Sequence, residues 1–257
     1  MKAPAFAYAK PRALNEALAL LQRHGERARV LAGGQSLIPS LNMRLSAPEI
    51  LVDIGALPLR GIVVKGQRIA VGALTTHAEI EASEDIRKHV PLLAEAVKHV
   101  AHPAIRNRGT LGGSLALADP AAEYPAVAVA LDAAIVLQGS KGERRVQAKD
   151  FFKGLFETAL RPGEIIVAAE FPAAKPGDRS VFLELARRHG DYAIVGLAAF
   201  KGEQTRFVFM NVGPTPVMAA SADELQPTAD LYNSAATKRH LAGVLMERAW
   251  KTLSTSR

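Results

Sequence analysis

The 257-residue chain contains no cysteine. That excludes disulfides, thiolate zinc, a cysteine nucleophile and an iron–sulfur cluster held by this chain, and it is compatible with a reducing compartment. Aromatic residues make up only 5% of the chain, and tryptophan occurs once. No basic run is interleaved with stacking aromatics, so the net charge of +7 does not read as a nucleic-acid surface. An acidic protein partner or an anionic cofactor accounts for it equally well. No stretch is apolar and uncharged for long enough to span a bilayer, and Met1 to Tyr8 has no apolar signal core. The expectation is a cytoplasmic protein that meets a membrane, if at all, through partners.

What is present is two glycine-rich loops far apart in the chain. The first runs Ala32-Gly33-Gly34-Gln35-Ser36; the second includes Arg108-Gly109-Thr110-Leu111-Gly112-Gly113-Ser114. Each sets paired glycines beside hydroxyl side chains after a short apolar run. Glycine admits positive φ and close approach. Consecutive amides in such a turn form a concave site for anions, phosphates above all. Neither loop matches G-x-G-x-x-G or the phosphate-loop pattern G-x-x-x-x-G-K-S/T. A lone Gly-Gly is more often a tight turn, so the signal lies in the pair and its neighbours.

The pattern predicts α+β organisation, with helices and strands alternating irregularly. A helix is expected from Pro11 to Gly25, strands over Arg29–Ala32 and Ile50–Ile54, and a hairpin of Ile62–Val64 with Ile69–Val71. Thr76-His77-Ala78-Glu79 reads as a capping box. Further helices are expected from Pro91, with Leu92, Leu93, Ala96 and Val100 inward, and over Pro125–Leu131. Strands follow over Ala134–Leu137 and Glu164–Phe171, then a Pro/Gly boundary from Pro172 to Asp178. Beyond it, Val181–Ala186, Ile194–Phe200 and Phe207–Val212 read as three antiparallel strands. Ser234 to Leu253 reads as a closing helix burying Leu241, Val244, Leu245 and Trp250.

These residues carry a family resemblance. Ala32-Gly33-Gly34-Gln35-Ser36-Leu37-Ile38-Pro39, Ile105 through Leu115, Ala118-Asp119-Pro120-Ala121-Ala122-Glu123, Arg187-Arg188-His189-Gly190-Asp191-Tyr192-Ala193 and Val212-Gly213-Pro214-Thr215-Pro216 occur in order across nearly the whole chain. The chain resembles the FAD-binding medium subunit of the molybdenum hydroxylases, a family that includes carbon monoxide dehydrogenase and the flavin part of xanthine dehydrogenase. The resemblance implies a two-part FAD-binding region of the vanillyl-alcohol oxidase (PCMH-like) type, over residues 1–55 and 56–175, and a small C-terminal domain over 178–257.

By that resemblance, FAD lies extended and non-covalently bound. One wall of its diphosphate site is Ala32, Gly33, Gly34, Gln35 and Ser36, and the other is Thr110, Leu111, Gly112, Gly113 and Ser114. The hydroxyls of Ser36, Thr110 and Ser114 can add donors. Val100 falls where the adenine packs, with a helix-core valine as the alternative. Glu123 falls where the family has an acidic residue near the cofactor, with a surface carboxylate as the alternative. Tyr192 lies in a loop that approaches the flavin ring, with an exposed tyrosine as the alternative. Arg106 and Arg108 either offset diphosphate charge or are solvated, with solvation slightly favoured because the backbone amides already face the phosphates; Arg187 and Arg188 suit an acidic partner. His99 and His102 read as helix-end residues without a third metal ligand, and no catalytic acid–base pair stands out.

Two positions depart from the family without loss of hydrogen-bonding capacity: Ser114 where many relatives have Asn, and Gln35 where many have His. The connection Ala219–Asp230 is shorter than usual, where relatives carry an extra helix. The implied function is an electron-transfer subunit of an oxidoreductase complex. A large molybdopterin subunit would oxidise the substrate, a small subunit with 2Fe–2S clusters would carry electrons, and FAD here would pass them to a quinone or NAD. A dimer of heterotrimers is implied. Two rival readings are a free-standing flavin oxidoreductase of the vanillyl-alcohol oxidase type and a flavin-less assembly protein.

Overall fold

The computed structural model describes residues 2–255. The N-terminal region holds β1 (Ala7–Ala9), α1 (Leu14–His24), β2 (Ala28–Leu31), α2 (Leu37–Asn42) and β3 (Ile50–Asp53). Its three strands form a parallel sheet in the order β1-β3-β2. Ala17, Leu18 and Leu21 of α1 pack on Ile50 and Val52. The helix starts later than Pro11 because Ala13 is still extended, and it stops where Gly25 takes φ 55°. Only glycine adopts such a conformation at little cost.

The middle region begins with the hairpin β4 (Ile62–Lys65) and β5 (Arg68–Gly72). Six short helices follow: α3 (His77–Ala82), α4 (Glu84–His89), α5 (Pro91–Ala96), α6 (Pro103–Arg106), α7 (Leu111–Leu117) and α8 (Glu123–Ala130). Then come β6 (Ala134–Gly139), β7 (Gly142–Gln147), α9 (Ala148–Phe151), the small pair β8 (Phe152–Gly154) and β9 (Glu157–Thr158), and β10 (Ile165–Pro172). The main sheet is antiparallel, in the order β4-β5-β10-β6-β7. Thr76 and Glu79 make both halves of the predicted capping box. Helix α8 carries an almost wholly buried apolar run, so its periodicity is blank in the sequence.

The C-terminal region holds β11 (Arg179–Ala186), β12 (Ala193–Lys201), β13 (Thr205–Met210), a two-residue β14 (Val217–Met218) and α10 (Ala235–Ser254). The three expected strands thus gain a short fourth, in the order β11-β12-β13-β14. The short connection before α10 contains a single 3-10 turn, Ala222–Glu224. The sheet is covered on both faces. Val181, Val195, Leu197, Phe207 and Phe209 pack under α10. Phe182, Ala193, Ala198, Val208 and Met210 join the main core of the middle region.

One expected core residue is corrected. Trp250 is 51% exposed, and the buried stripe of α10 runs Lys238, Ala242, Leu245, Ala249, Leu253 instead. That spacing holds one helix face, and Trp250 lies off it. Leu241 and Val244 are half-buried at the edge of the stripe. Lys238 is admitted to the stripe because its ammonium pairs with Asp230 at 2.9 Å.

Candidate functional site

The parallel sheet ends where the first glycine loop begins. Strand β2 runs straight into Ala32, and β3 ends at Asp53 beside it. Ligands of open α/β sheets lie beyond the carboxyl ends of parallel strands. A cleft of about 890 Å³ opens there, lined by Ala32, Gly33, Gly34, Gln35, Asp53, Arg60, Asn107, Arg108 and Thr110 among others. Its size suits a large small-molecule ligand.

The two glycine loops meet at this cleft. A Cβ added to Gly33 would lie 2.2 Å from the Arg108 carbonyl oxygen, closer than any real contact. Only glycine lets the first loop lie against the second. Gly34 takes φ 74°, which turns the chain into α2. Among the described residues, the amides of Gly33, Gly34, Gln35 and Ser36 donate to no protein acceptor. The Gln35 side chain bends back and donates to the Gly33 carbonyl at 3.0 Å, bracing the loop.

The second loop is built differently. The Leu111 amide donates to Thr75, Gly112 to Ala73, and Gly113 to the Thr110 hydroxyl oxygen. Gly112 lies so close to Ala73 that a Cβ would sit 2.6 Å from it. The expectation of two opposed amide nests therefore changes. The first loop presents free donors, whereas the amides of Arg108, Gly109, Leu111, Gly112, Gly113 and Ser114 in the second are already committed within the protein. Ser114 sits half-buried on α7, outside the lining of the cleft, as are Ser36, Leu111, Gly112 and Gly113.

Buried polar groups stand behind the second loop. Arg106, expected to be solvated, is only 8% exposed. It donates to Glu81 at 2.9 Å and to the carbonyls of Val100 and Ala101. It fastens α3 to the loop rather than meeting water. His77 is 5% exposed, its amide donates to Gly109, and its ring meets Tyr124 edge-on at 5.1 Å. Burial, with the nearby Arg106 charge, pushes the His77 imidazole down to about 4, so it is neutral at ordinary pH. Arg108 is exposed and lines the cleft with Lys10 and Arg60. Asp53 there takes hydrogen bonds from the Tyr8 hydroxyl and the Gly55 amide and lies 3.9 Å from the Lys10 ammonium. Lys10, Asp53, Arg60 and Asn107 were missed from the sequence; the position of Asp53 at the end of a parallel strand was the usable signal.

The remaining predicted residues lie elsewhere. Val100 packs against the main core and does not line the cleft. Glu123 opens α8, and Tyr192 is 73% exposed in the loop after β11. The two are electrostatic neighbours: Glu123 and Asp119 both push the Tyr192 phenol up, after burial. This second locus, where α8 meets the C-terminal sheet, is closely joined. The Asn211 amide donates to Pro120 at 2.8 Å. Gly190, with φ 85°, lies against His102, and the His99 ring packs 5.2 Å from Phe182. His99 and His102 thus connect the middle region to the C-terminal loop, instead of merely ending a helix. Burial pushes the Glu123 carboxyl up to about 8, with Glu184 and Asp119 adding to it. Glu184, on β11, is pushed up to about 7 by burial.

Residues 4–174 match the family model described as the FAD-binding domain in molybdopterin dehydrogenase. The 6-hydroxypseudooxynicotine dehydrogenase complex subunit alpha of Paenarthrobacter nicotinovorans is 43% identical, over 88% of this chain and 79% of that one. The carbon monoxide dehydrogenase medium chain of Hydrogenophaga pseudoflava is 36% identical over 96% of each. Among solved structures, carbon monoxide dehydrogenase from the same organism, lacking the Mo-pyranopterin moiety of its cofactor, superposes with TM-score 0.94 at 35% identity, covering 98% of both chains. Quinoline 2-oxidoreductase from Pseudomonas putida 86 gives TM-score 0.93 at 36% identity, covering 98% of both.

Proposed function

The chain belongs to the FAD-binding family of molybdopterin dehydrogenases, and from that premise we propose that it holds FAD across the two loci as the electron-transfer subunit of a molybdenum hydroxylase complex. Its class is oxidoreductase and its cofactor is FAD. The observation that carries the reading is the seating of Gly33 against the Arg108 carbonyl, beside a cleft that a dinucleotide can fill.

The donor set suits the diphosphate. Free amides of Gly33, Gly34, Gln35 and Ser36 supply fixed N–H groups without side-chain entropy. Lys10, Arg60 and Arg108 offset its charge. Thr110 lines the same cleft, and Ser114 follows it on α7, which leads along the chain to Glu123 at the start of α8. We keep Leu111, Gly112 and Gly113 as the frame that fixes the second wall, and read Val100, packed on the main core beside His99, as the core valine of the two alternatives. When bound, FAD supplies exchange between one-electron and two-electron carriers. The chain positions it, sets its surroundings and limits water.

We assign the finer arrangement on the same basis. The units are residues 1–55, 56–175 and 178–257, and the family match ending at residue 174 supports the second boundary. The absence of cysteine puts any iron–sulfur cluster on a partner. A large molybdopterin subunit and a small 2Fe–2S subunit, in a dimer of heterotrimers, supply the electrons; a quinone or NAD takes them. No described helix is long and apolar enough to cross a membrane, which suits a cytoplasmic complex that reaches the membrane's inner face through partners. Reconstitution tests the role. Electron flow to the acceptor is expected to stop when FAD is stripped and to return when FAD is restored. Flow that persists without FAD would end the reading.

A further inference from the structure

Gly109 lies where the second glycine loop is pressed by two neighbours at once. One is the first loop: a Cβ added to Gly33 would come within 2.9 Å of the Gly109 Cα atom, besides overlapping the Arg108 carbonyl. The other is His77: a Cβ added to Gly109 would lie 2.5 Å from the His77 Nε2 atom and 2.7 Å from its Cδ2 atom. His77 does not line the cleft, so its ring stands behind the loop while Arg108 and Thr110 face forward. Gly109 has no positive φ, so its conformation alone does not call for glycine. The ring behind it does, since glycine is the residue that permits so close an approach.

We propose that His77 is a positioning residue of the cofactor cleft: its imidazole is the spacer that sets how far the second loop stands from the first, and so where Arg108 and Thr110 meet the diphosphate. This rests on the FAD reading of the preceding subsection.

The main chain registers the ring against the loop. Thr76 and Thr110 form an antiparallel bridge. The His77 amide donates to the Gly109 carbonyl at 3.0 Å, and the Leu111 amide donates to the Thr75 carbonyl at 3.0 Å. The capping box of Thr76 and Glu79 fixes the first turn of α3, which carries the ring. Tyr124 of α8 backs the ring from within the core: it is buried and meets the imidazole edge-on at 5.1 Å. The His77 Nδ1 atom has no hydrogen-bond partner among the described residues, so contact, and not a bond at that atom, holds the ring in place. The succession in space is Tyr124, His77, Gly109, Gly33. A close-packed interior has no slack to absorb a change at one member, so the change passes to the next.

The test is a double-mutant cycle on the full chain. It is read by the melting temperature and by affinity for FAD and for ADP-ribose, which has the adenosine diphosphate portion of FAD but no flavin ring. Gly109→Ala should weaken both ligands by about tenfold, because its methyl meets the imidazole and displaces the loop. His77→Ala should weaken both several-fold, because the loop loses its spacer. In the double variant the methyl enters the room that the imidazole leaves, and both affinities should return to within about threefold of wild type. Additive losses overturn the spacer. So does a melting temperature that recovers while the affinities do not, since the contact is then one of packing alone. His77→Gln, which lacks the flat ring, decides the matter if the double variant fails to fold. Both ligands should then weaken by at least about threefold, and unchanged affinity in that folded variant overturns the proposal. Failure of the wild-type chain to bind either ligand overturns the FAD reading instead.

Discussion

The two ends of the site are built from opposite materials. At the cleft end, unpartnered main-chain amides of the first loop stand beside Lys10, Arg60 and Arg108. Where α8 meets the C-terminal sheet, Glu123, Glu184 and Asp119 have no ion-pair partner among the described residues, and burial pushes each of them up. The first arrangement suits an anion; the second leaves buried carboxyls that favour their neutral form.

Replacing Gly33 by alanine should break the cleft end outright. Its added Cβ would overlap the Arg108 carbonyl, so the loops must part. FAD and ADP-ribose affinity should both drop by at least about 100-fold, about 3 kcal/mol at a tenfold per 1.4 kcal/mol, as read by titration calorimetry. Retained affinity for either would show that the loops need not touch.

Arg106→Ala should act on the same end through stability. It strips a buried guanidinium from Glu81 and two carbonyls, a change that costs about 3 kcal/mol in comparable buried pairs. Thermal melting would report it. A solvated Arg106 would leave the melting point unmoved.

Acid separates the ends further. His77 has a folded-state value near 4, below its ordinary 6.5. Its neutral form contributes stability above 6.5, and that stability is lost as pH falls toward 4. The linkage amounts to about 3 kcal/mol. Buried Glu123 and Glu184 work in the other direction: the stability they contribute is full below the ordinary carboxylate value of 4.5 and is lost as pH rises through 7 to 8. Denaturant melts from pH 4 to 9 should show the acid limb vanish in His77→Gln while the alkaline limb stays.

The sequence disclosed the two ends unequally. Loop glycines, the capping box at Thr76 and the strand leading into Ala32 are local signals, and each reached the structure with small boundary shifts. Glu184 was not legible. In Val181-Phe182-Leu183-Glu184-Leu185 the alternation reads as an inward row of Val181, Leu183 and Leu185, with Glu184 facing water. That rule holds for a sheet covered on one face, whereas this sheet is covered on both. Trp250 failed for a simpler reason: the face of α10 that meets the sheet runs through Ala242, Leu245, Ala249 and Leu253, and Trp250 lies off it. Arg106 looked solvated because its acceptors, Glu81 and two carbonyls, come from segments whose closeness no local pattern announces.

The smallest expected effect sharpens the comparison at the ring end. Tyr192 is 73% exposed, so Tyr192→Phe should shift FAD affinity by less than about threefold, in line with a largely exposed side chain. A loss as large as that of Gly33→Ala would move the tyrosine hydroxyl into the binding machinery.

A crystal structure of the full chain with FAD tests the central claim most directly. Diphosphate oxygens should lie within hydrogen-bonding distance of the Gly34 and Gln35 amides, between the first loop and Arg108, with the ring extending toward Glu123. FAD bound with its diphosphate away from those amides would contradict the account.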